Sequence, residues 1–198
     1  MKINVDGVVL AAGQSKRMGV SKAQLEFEPG VTLLEHAVQI LRKAGCRYIV
    51  AVVNVGDDWT ARLADVAGAA VVINDRPNSQ QIDSIRLGIV HLPDDAAGAM
   101  VLPVDFPALR VGTVTSMINA FEHRQPPVLV PICLGRPGHP VIFSREIFGE
   151  LMTDPLPRGA ETVVDAHRPD RFELRIDDPG ILLDVDSPAD YQSFLRGR

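Results

Sequence analysis

The apolar positions of the chain follow two periods, one typical of buried strands and the other of amphipathic helices. An apolar run at Val5–Leu10 predicts a buried strand. Apolar residues then recur at helical spacing from Leu34 to Ala44, between a Thr32–Glu35 capping box and Gly45, which predicts a helix. Because strands and helices keep alternating beyond this point, we expect a mostly parallel α/β sheet.

The same two patterns continue along the rest of the chain. Strands are predicted at 48–53, 70–73, 100–104, 128–132, 172–176 and 181–185, and helices at 57–66, 83–91, 113–123 and 158–166. Pro103 predicts that the strand 100–104 ends there or lies at an edge of the sheet. The Gly- and Pro-rich segment 134–140 predicts a hairpin-like return to a strand at 141–143. Ser187 as a cap, Pro188 and Asp190 predict the start of a C-terminal helix.

Composition narrows the class of protein. The chain has 198 residues, 46% hydrophobic and 23% charged, which fits one globular domain over residues 1–198. A net charge of −5 argues against non-specific nucleic-acid binding, so an anionic ligand requires a local cluster of cations. The sequence contains no predicted targeting segment and no apolar run near the ~20 residues of a membrane span, and we expect a cytoplasmic protein. Cys46 and Cys133 lack metal-ligand spacing, and we expect them to be small core residues.

The segment after the first strand carries the strongest chemical signal. Its small residues let backbone N–H groups approach an anion, and Lys16, Arg17 and Lys22 supply positive charge beside them. It is not a Walker A loop, because Met18 and Gly19 stand where Gly and Lys are needed. It is not a dinucleotide fingerprint either, because Ser15 and Met18 replace two glycines. Together these features predict a polyphosphate site, the alternative being a βα loop with solvated charges.

Residues 10–22 resemble the LAAGxSxRMGxxK signature of the MobA-like nucleotidyltransferases at every fixed position. Those enzymes move a nucleotidyl group from an NTP onto a phosphorylated acceptor. The resemblance implies a Rossmann-like three-layer α/β nucleotidyltransferase fold, mostly parallel, with a hairpin-like antiparallel element. It also implies catalytic roles for Arg17, Lys22 and Asp105. The implied nucleotide-binding residues are Leu10, Ala11, Ala12, Gly13, Ser15, Arg17, Lys22 and Ser84.

Carboxylates near strand ends are the expected ligands of Mg²⁺, which usually accompanies a triphosphate. Asp105 closes the strand 100–104 and matches the family's metal-binding Asp-x-Pro; the alternative is an ordinary turn aspartate. Residues 183–191 resemble the family's DxDTPxDY segment. On a strand, Asp184 and Asp186 would point to the same face. We expect Asp186 to bind metal and Asp190 to stabilise the last helix. For Asp184, a metal-binding role and a purely structural role both stay possible.

Residues 135–143 resemble the GxxGHPVxF segment of the branch that makes the cytosine dinucleotide form of the molybdenum cofactor. Together with LAAG in the first motif, this resemblance implies CTP as donor and a molybdopterin-type acceptor. Gly138 and His139 are then the expected acceptor-binding residues. The alternative for His139 is a solvated loop histidine.

One segment departs from the family pattern. Gln80 and Gln81 replace smaller residues in a loop that, in the family, contacts base and ribose, whereas Ser84 and Gly88 match. Three alternatives therefore stay open. They are a same-fold enzyme with another NTP or a sugar- or polyol-phosphate acceptor, a MobA-like oxidoreductase, and a non-catalytic accessory protein. A molybdenum hydroxylase apoenzyme is among the partners that the resemblance implies.

Overall fold

The computed structural model describes residues 3–13, 15 and 17–197, which form a three-layer α/β/α sandwich. The strands of its main sheet run in the order β10-β7-β9-β6-β1-β4-β5, and β8 pairs with β7. A separate hairpin joins β2 and β3. The strands are β1 (Val5–Leu10), β2 (Glu26–Glu28), β3 (Val31–Thr32), β4 (Ile49–Asn54), β5 (Ala70–Asn74), β6 (Gly98–Pro103), β7 (Val128–Cys133), β8 (Arg136–Pro137), β9 (Val141–Ser144) and β10 (Phe172–Arg175).

Seven α-helices cover the two faces in the part of the chain that the structure describes. Helix α1 begins at Leu33, directly after its N-cap Thr32, which forms a capping box with Glu35, and it ends before Gly45, whose φ of 114° lies in the left-handed region that favours glycine. The helices are α1 (Leu33–Ala44), α2 (Asp58–Val66), α3 (Gln81–Val90), α4 (Val111–Arg124), α5 (Phe148–Leu151), α6 (Ala160–Ala166) and α7 (Pro188–Arg196).

The sheet separates two apolar cores. On one face, α1, α2 and α4 pack against alternate residues of the central strands, such as Val9 and Leu102. On the other face, α3, α5 and α6 pack against the strand residues in between, such as Val8 and Val101.

Cys46 and Cys133 are free and buried as predicted, and burial raises the pKa of the Cys46 thiol to about 12. None of the described helices is both long and apolar enough to cross a bilayer.

Strand directions confirm the predicted mixed sheet. Strand β1 pairs in parallel with β4 and β6, and β10 pairs in parallel with β7. Strand β9 is antiparallel to both β6 and β7, which is the predicted hairpin-like return. Because β1, β4 and β6 are parallel, their carboxyl ends meet at one edge of the sheet, where ligands bind in this class of fold.

The prediction at Pro103 is confirmed in one of its two alternatives, and one strand prediction needs correction. Pro103 does end β6, but β6 lies inside the sheet between β9 and β1, so it is no edge strand. The strand predicted at 181–185 is wrong, because the chain forms a 3-10 turn at Pro179–Leu182 and then an irregular segment. Asp178 fixes that turn by accepting hydrogen bonds from the Gly180 amide and from Thr113 of α4. The local capping therefore overrides the apolar pattern.

Candidate active site

Side-chain and backbone contacts within the loop after β1 hold it in place. Ser15 has a left-handed backbone with φ 45°, and its hydroxyl accepts a hydrogen bond from the Lys22 amide at 3.1 Å. The Met18 and Gly19 amides donate to the Ser15 carbonyl. Gly13 is exposed, and a Cβ added there would have no atom within 4 Å. The loop is closed around Ser15 and open at Gly13, which leaves space for a ligand beside the backbone.

A cavity of about 410 Å³, here called the loop cavity, lies at the carboxyl ends of β1 and β6. It brings together the eight predicted nucleotide-binding residues and both predicted metal ligands, which sequence alone could not place side by side. Lys16 lies outside the described residues. The residues lining the loop cavity are Leu10, Ala11, Ala12, Gly13, Ser15, Arg17, Lys22, Ala23, Ser79, Gln80, Gln81, Ser84, Pro103, Val104, Asp105 and Asp186.

Lys22 is the centre of the charged network in the loop cavity. Its ammonium donates to Asp105 Oδ2 at 2.8 Å and to Asp186 Oδ1 at 2.5 Å, and its side chain is only 14% exposed. Burial works against the charged lysine, but the two carboxylate hydrogen bonds outweigh burial and raise the pKa of Lys22. The hydrogen bond from Lys22, with a smaller contribution from Arg17, lowers the pKa of Asp186. Both groups are therefore charged near neutral pH.

The C-terminal segment brings Asp186 to this network. The Val185 amide donates to the Asp105 carbonyl at 2.8 Å, so the two aspartates lie side by side although 81 residues separate them in sequence. Ser187 and Asp190 form the capping box of α7, as predicted for Asp190. Arg17 pairs with the other oxygen of Asp186, Oδ2, at 2.8 Å, and 72% of the Arg17 side chain is exposed. Arg17 and Lys22 therefore bond the same carboxylate, and both line the loop cavity.

Asp184 does not join Asp186. The segment is not a strand, so the predicted alternation fails, and Asp184 is exposed and lines a different cavity beside Pro107 and Phe194. The sequence did not decide whether Asp184 binds metal, and in the structure Asp184 does not line the loop cavity.

Ser84 and the two glutamines lie on the opposite wall of the loop cavity. Ser84 is 5% exposed, and its hydroxyl accepts a hydrogen bond from Asn74 at 3.0 Å. Gln80 and Gln81 are exposed at the start of α3. Gly88, one turn further, packs directly on β1, since a Cβ there would lie 2.3 Å from Val8 Cγ1. Close packing on β1 thus explains why Gly88 matches the family pattern. Gln80 and Gln81, which depart from that pattern, face the space where a ligand would bind.

A second cavity of about 710 Å³, here called the sheet cavity, shares Gln80 and Gln81 with the loop cavity. Gly138 and His139 line the sheet cavity and not the loop cavity. A Cβ on Gly138 would lie 2.3 Å from the Ile181 carbonyl oxygen, so glycine is required there by backbone packing. Sequence analysis missed the arginines at the rim of the sheet cavity, because no motif marks them. They are Arg158, Arg168 and Arg171.

His139 is not a solvated loop residue. Its Nδ1 is buried and has no hydrogen-bond partner among the described residues, and its ring lies 4.8 Å from that of Phe106. Burial lowers the pKa of His139, although the nearby charges of Asp105 and Asp184 oppose this effect. The imidazole is therefore neutral near pH 7 and presents an unused polar atom.

The donor set at Asp105 and Asp186 fits a divalent cation that arrives with a polyphosphate. No group of three or more His, Cys, Asp or Glu side chains in the described part of the chain could hold a metal ion on its own. Mg²⁺ is commonly held by one or two carboxylates plus phosphate oxygens and waters, which is what two aspartates beside an open cavity can provide. Asp105 Oδ1 is buried without a hydrogen-bond partner among the described residues, which leaves one carboxylate oxygen available.

Comparison with known proteins finds a transferase family and relatives named as transferases and as an oxidoreductase. A family model described as the MobA-like NTP transferase domain matches residues 7–171. The molybdenum cofactor cytidylyltransferase of Escherichia coli is 22% identical over 187 residues, covering 94% of this chain and 93% of its own. A molybdenum cofactor guanylyltransferase of Xanthomonas euvesicatoria is 32% identical over 65% of this chain and 62% of its own. The nicotine blue oxidoreductase of Paenarthrobacter nicotinovorans is 31% identical over 58% of this chain and 55% of its own.

Solved structures extend the similarity to the whole chain. The crystal structure of Rv0371c from Mycobacterium tuberculosis has a TM-score of 0.84 at 27% identity, covering 99% of both chains. A second structure of that protein, in complex with manganese, has a TM-score of 0.82 at 25% identity and covers 99% of this chain and 100% of its own. The three-layer fold is therefore shared over the full length of these structures.

Proposed function

The chain belongs to the MobA-like NTP transferase family, and we propose that it transfers CMP from CTP to a molybdopterin-type acceptor with release of pyrophosphate. The observation that carries the proposal is the loop cavity, where Arg17, Lys22, Asp105 and Asp186 converge beside an open backbone loop. Two cations on a chain of net charge −5 provide a local anion site, and nucleotidyl transfer requires such a site next to carboxylates.

In the proposed reaction, a phosphate oxygen of the acceptor forms a bond to the α-phosphorus of CTP. The bond from that phosphorus to the bridging oxygen of the β-phosphate breaks, and pyrophosphate leaves with the electron pair. Arg17 and Lys22 bind the triphosphate and offset the negative charge that develops on the leaving group. The open backbone at Gly13 allows the phosphates to approach the loop closely.

Asp105 and Asp186 are the proposed Mg²⁺ ligands. When bound, Mg²⁺ supplies charge stabilisation at the phosphate oxygens. Lys22 bonds one oxygen of each carboxylate, so a cation held there would share the two aspartates with its ammonium. The manganese complex of the related Mycobacterium tuberculosis protein supports a divalent cation in this fold. A larger rise of the melting temperature with CTP plus Mg²⁺ than with either alone is expected, because ligands that bind the native state stabilise it.

The choice of CTP is supported by two features. The LAAG form of the first motif and the sequence Gly138-His139-Pro140 resemble those of the cytidylyl branch. The match to the cytidylyltransferase also spans 94% of this chain, whereas the match to the guanylyltransferase spans 65%. The test is pyrophosphate release from CTP, GTP, ATP and UTP with molybdopterin and Mg²⁺, with chromatography of the dinucleotide product. Faster turnover with GTP would reject the cytidylyl assignment, and no release from any NTP would reject the transferase proposal.

A second candidate function is that of an oxidoreductase, because a relative named nicotine blue oxidoreductase is 31% identical over 119 residues. It is distinguished from nucleotidyl transfer by the need for a hydride donor. Oxidation of NADH or NADPH in the presence of nicotine blue, without any NTP, would favour it. A molybdenum hydroxylase apoenzyme as recipient of the product and a cytoplasmic location both stay predictions.

A further inference from the structure

The backbone of Lys22 belongs to a short 3-10 turn, Lys22–Gln24, which follows the loop after β1. The loop holds the first residue of this turn, because the Lys22 amide donates to the Ser15 hydroxyl at 3.1 Å. Ala23 is 1% exposed and anchors the middle of the turn in the apolar core. Lys22 lines the loop cavity, whereas the side chain of Gln24, at the end of the turn, contacts the start of α2.

Gln24 forms a polar network with the first turn of α2. Its side-chain amide donates to Asp57 Oδ1 at 2.9 Å and to the Thr60 hydroxyl at 3.0 Å. The Thr60 hydroxyl in turn donates to Asp57 Oδ2 at 2.7 Å, and Thr60 is fully buried. Three side chains thus bond one another between the turn and the helix, and a hydrogen-bonded network of this kind restricts the geometry of its members.

Helix α2 does not depend on Gln24 for its cap. Asp57 is the N-cap of α2 and accepts a hydrogen bond from the Thr60 amide at 3.1 Å. This bond and the one from the Thr60 hydroxyl do not involve Gln24, so neither Asp57 nor Thr60 loses its last partner when Gln24 becomes apolar. The hydrogen bonds of Gln24 therefore fix the position of the turn and not the start of the helix.

The position of the turn matters because the other end of Lys22 is tightly surrounded. Its ammonium lies 2.8 Å from Asp105 and 2.5 Å from Asp186, and its side chain is 14% exposed. Lysine has a flexible four-carbon stem, so its ammonium is preorganised only if the backbone from which the stem starts is also fixed. The Gln24 network ties that backbone to α2.

We propose that Gln24 is a positioning residue of the polyphosphate site: by bonding Asp57 and Thr60, it holds the Lys22 turn so that the ammonium is preorganised for the phosphates. This inference rests on the proposed function only in taking the polyphosphate to be the triphosphate of CTP. Gln24 does not line the loop cavity, so it acts on a ligand there through Lys22. Loss of the network therefore weakens polyphosphate binding only while Lys22 is present.

The experiment measures binding of CTP and of inorganic tripolyphosphate, each radiolabelled and with Mg²⁺, to the full chain by equilibrium dialysis. Tripolyphosphate has no base or ribose and therefore reports on the polyphosphate site alone. Gln24→Met, an apolar side chain of similar length, should weaken both ligands about fivefold, the factor expected for one neutral hydrogen bond. In the Lys22→Ala background the same substitution should change either affinity by less than about twofold, because the two residues act as one unit.

A second measurement follows Lys22 itself and needs no ligand. Acylation of Lys22, quantified by mass spectrometry against the exposed Lys43 of the same molecule, should be several times faster in Gln24→Met than in the parent protein. Ser144→Ala is the matched control for both measurements. Ser144 is a buried side chain that caps a turn, but it pairs with Gly98 at the amino end of β6 and does not line the loop cavity.

The inference is overturned if Gln24→Met binds both ligands as the parent does, if it weakens them equally with and without Lys22, or if Ser144→Ala weakens them too. Unchanged acylation of Lys22, or no binding of either ligand to the parent protein, also overturns it. Melting temperatures establish folding, and Thr60→Val, which opens the same network from the helix side, replaces Gln24→Met if that variant does not fold. If tripolyphosphate binds in a Gln24-dependent way but CMP is not transferred, only the proposed function fails. If CMP is transferred but Gln24→Met binds like the parent, only the present inference fails.

Discussion

The ammonium of Lys22 lies 2.5 Å from Asp186 Oδ1, although 164 residues separate the two along the chain. The same ammonium bonds Asp105 at 2.8 Å, so one lysine links the loop after β1, the end of β6 and the segment before α7. Any anion that enters the loop cavity therefore competes with two carboxylates for Lys22. That competition makes the network sensitive to single substitutions.

Replacing Lys22 with Ala should weaken CTP binding about tenfold or more, because a charge-assisted contact contributes roughly 1.5–3 kcal/mol. Isothermal titration of CTP with Mg²⁺ measures the change. Lys43→Ala is the control, since Lys43 is exposed near the end of α1 and does not line the loop cavity. Unchanged affinity and turnover in Lys22→Ala would show that the triphosphate does not bind here.

The sequence predicts those parts of the fold whose signals are local. The capping box at Thr32 and the left-handed Gly45 fix both ends of α1, and the prediction of that helix is confirmed. The strand predicted at 181–185 fails because its geometry depends on distant residues. A Cβ on Gly180 would lie 2.2 Å from the Ala108 carbonyl oxygen, and no pattern near Gly180 indicates that contact.

The same distinction holds for the candidate site. Motifs identify Lys22, Asp105 and Asp186, and the structure places them in one cavity. The rim of the sheet cavity is different, because Arg158 and Arg168 lie at opposite ends of α6 and their chemistry depends on which carboxylates they meet. No spacing in the sequence indicates that Asp165 forms an ion pair with Arg158 and also lies near Arg168.

Asp105→Asn and Asp186→Asn should each reduce turnover far more than they reduce folding stability. Both carboxylates border an open cavity, with side chains 21% and 35% exposed, and neither supports the apolar core. Pyrophosphate release and thermal unfolding, measured on the same samples, separate the two effects.

Asp190→Asn is the comparison for these variants, because Asp190 caps α7 and does not line the loop cavity. It should lower the melting temperature slightly and leave turnover intact. A loss of activity that merely follows a loss of stability across all three variants would contradict a role of Asp105 and Asp186 in the reaction.

His139 should make stability depend on pH on the acid side. Burial lowers the pKa of His139 in the folded chain below the ordinary value of about 6.5, so the unfolded chain binds more protons as the pH falls. The stability that comes from the neutral imidazole is complete above about pH 6.5 and is lost as the pH drops through the folded-state pKa. Urea unfolding at pH 7.5 and pH 5 should show a larger loss for the parent protein than for His139→Gln. His123→Gln, on the exposed end of α4, should behave like the parent.

Gly13 and Gly138 should respond in opposite ways to alanine, because only one of them is packed. A Cβ on Gly138 would lie 2.3 Å from the Ile181 carbonyl oxygen, so backbone must shift, and we expect a loss of about 1–3 kcal/mol in the free energy of unfolding. A Cβ on Gly13 would meet no atom within 4 Å but would project beside the loop cavity. Gly13→Ala should therefore change the free energy of unfolding by less than about 0.5 kcal/mol.

The two variants also separate stability from binding. Gly13→Ala should weaken CTP binding about tenfold, since its methyl group occupies the space where phosphates approach the backbone. Gly138→Ala should leave CTP affinity close to that of the parent, because Gly138 lines only the sheet cavity. Urea unfolding gives the free energy of unfolding of each variant, and isothermal titration gives its affinity for CTP. If Gly13→Ala bound CTP as tightly as the parent, the phosphates would have to lie away from this loop, and the assignment of the loop cavity to the triphosphate would be wrong.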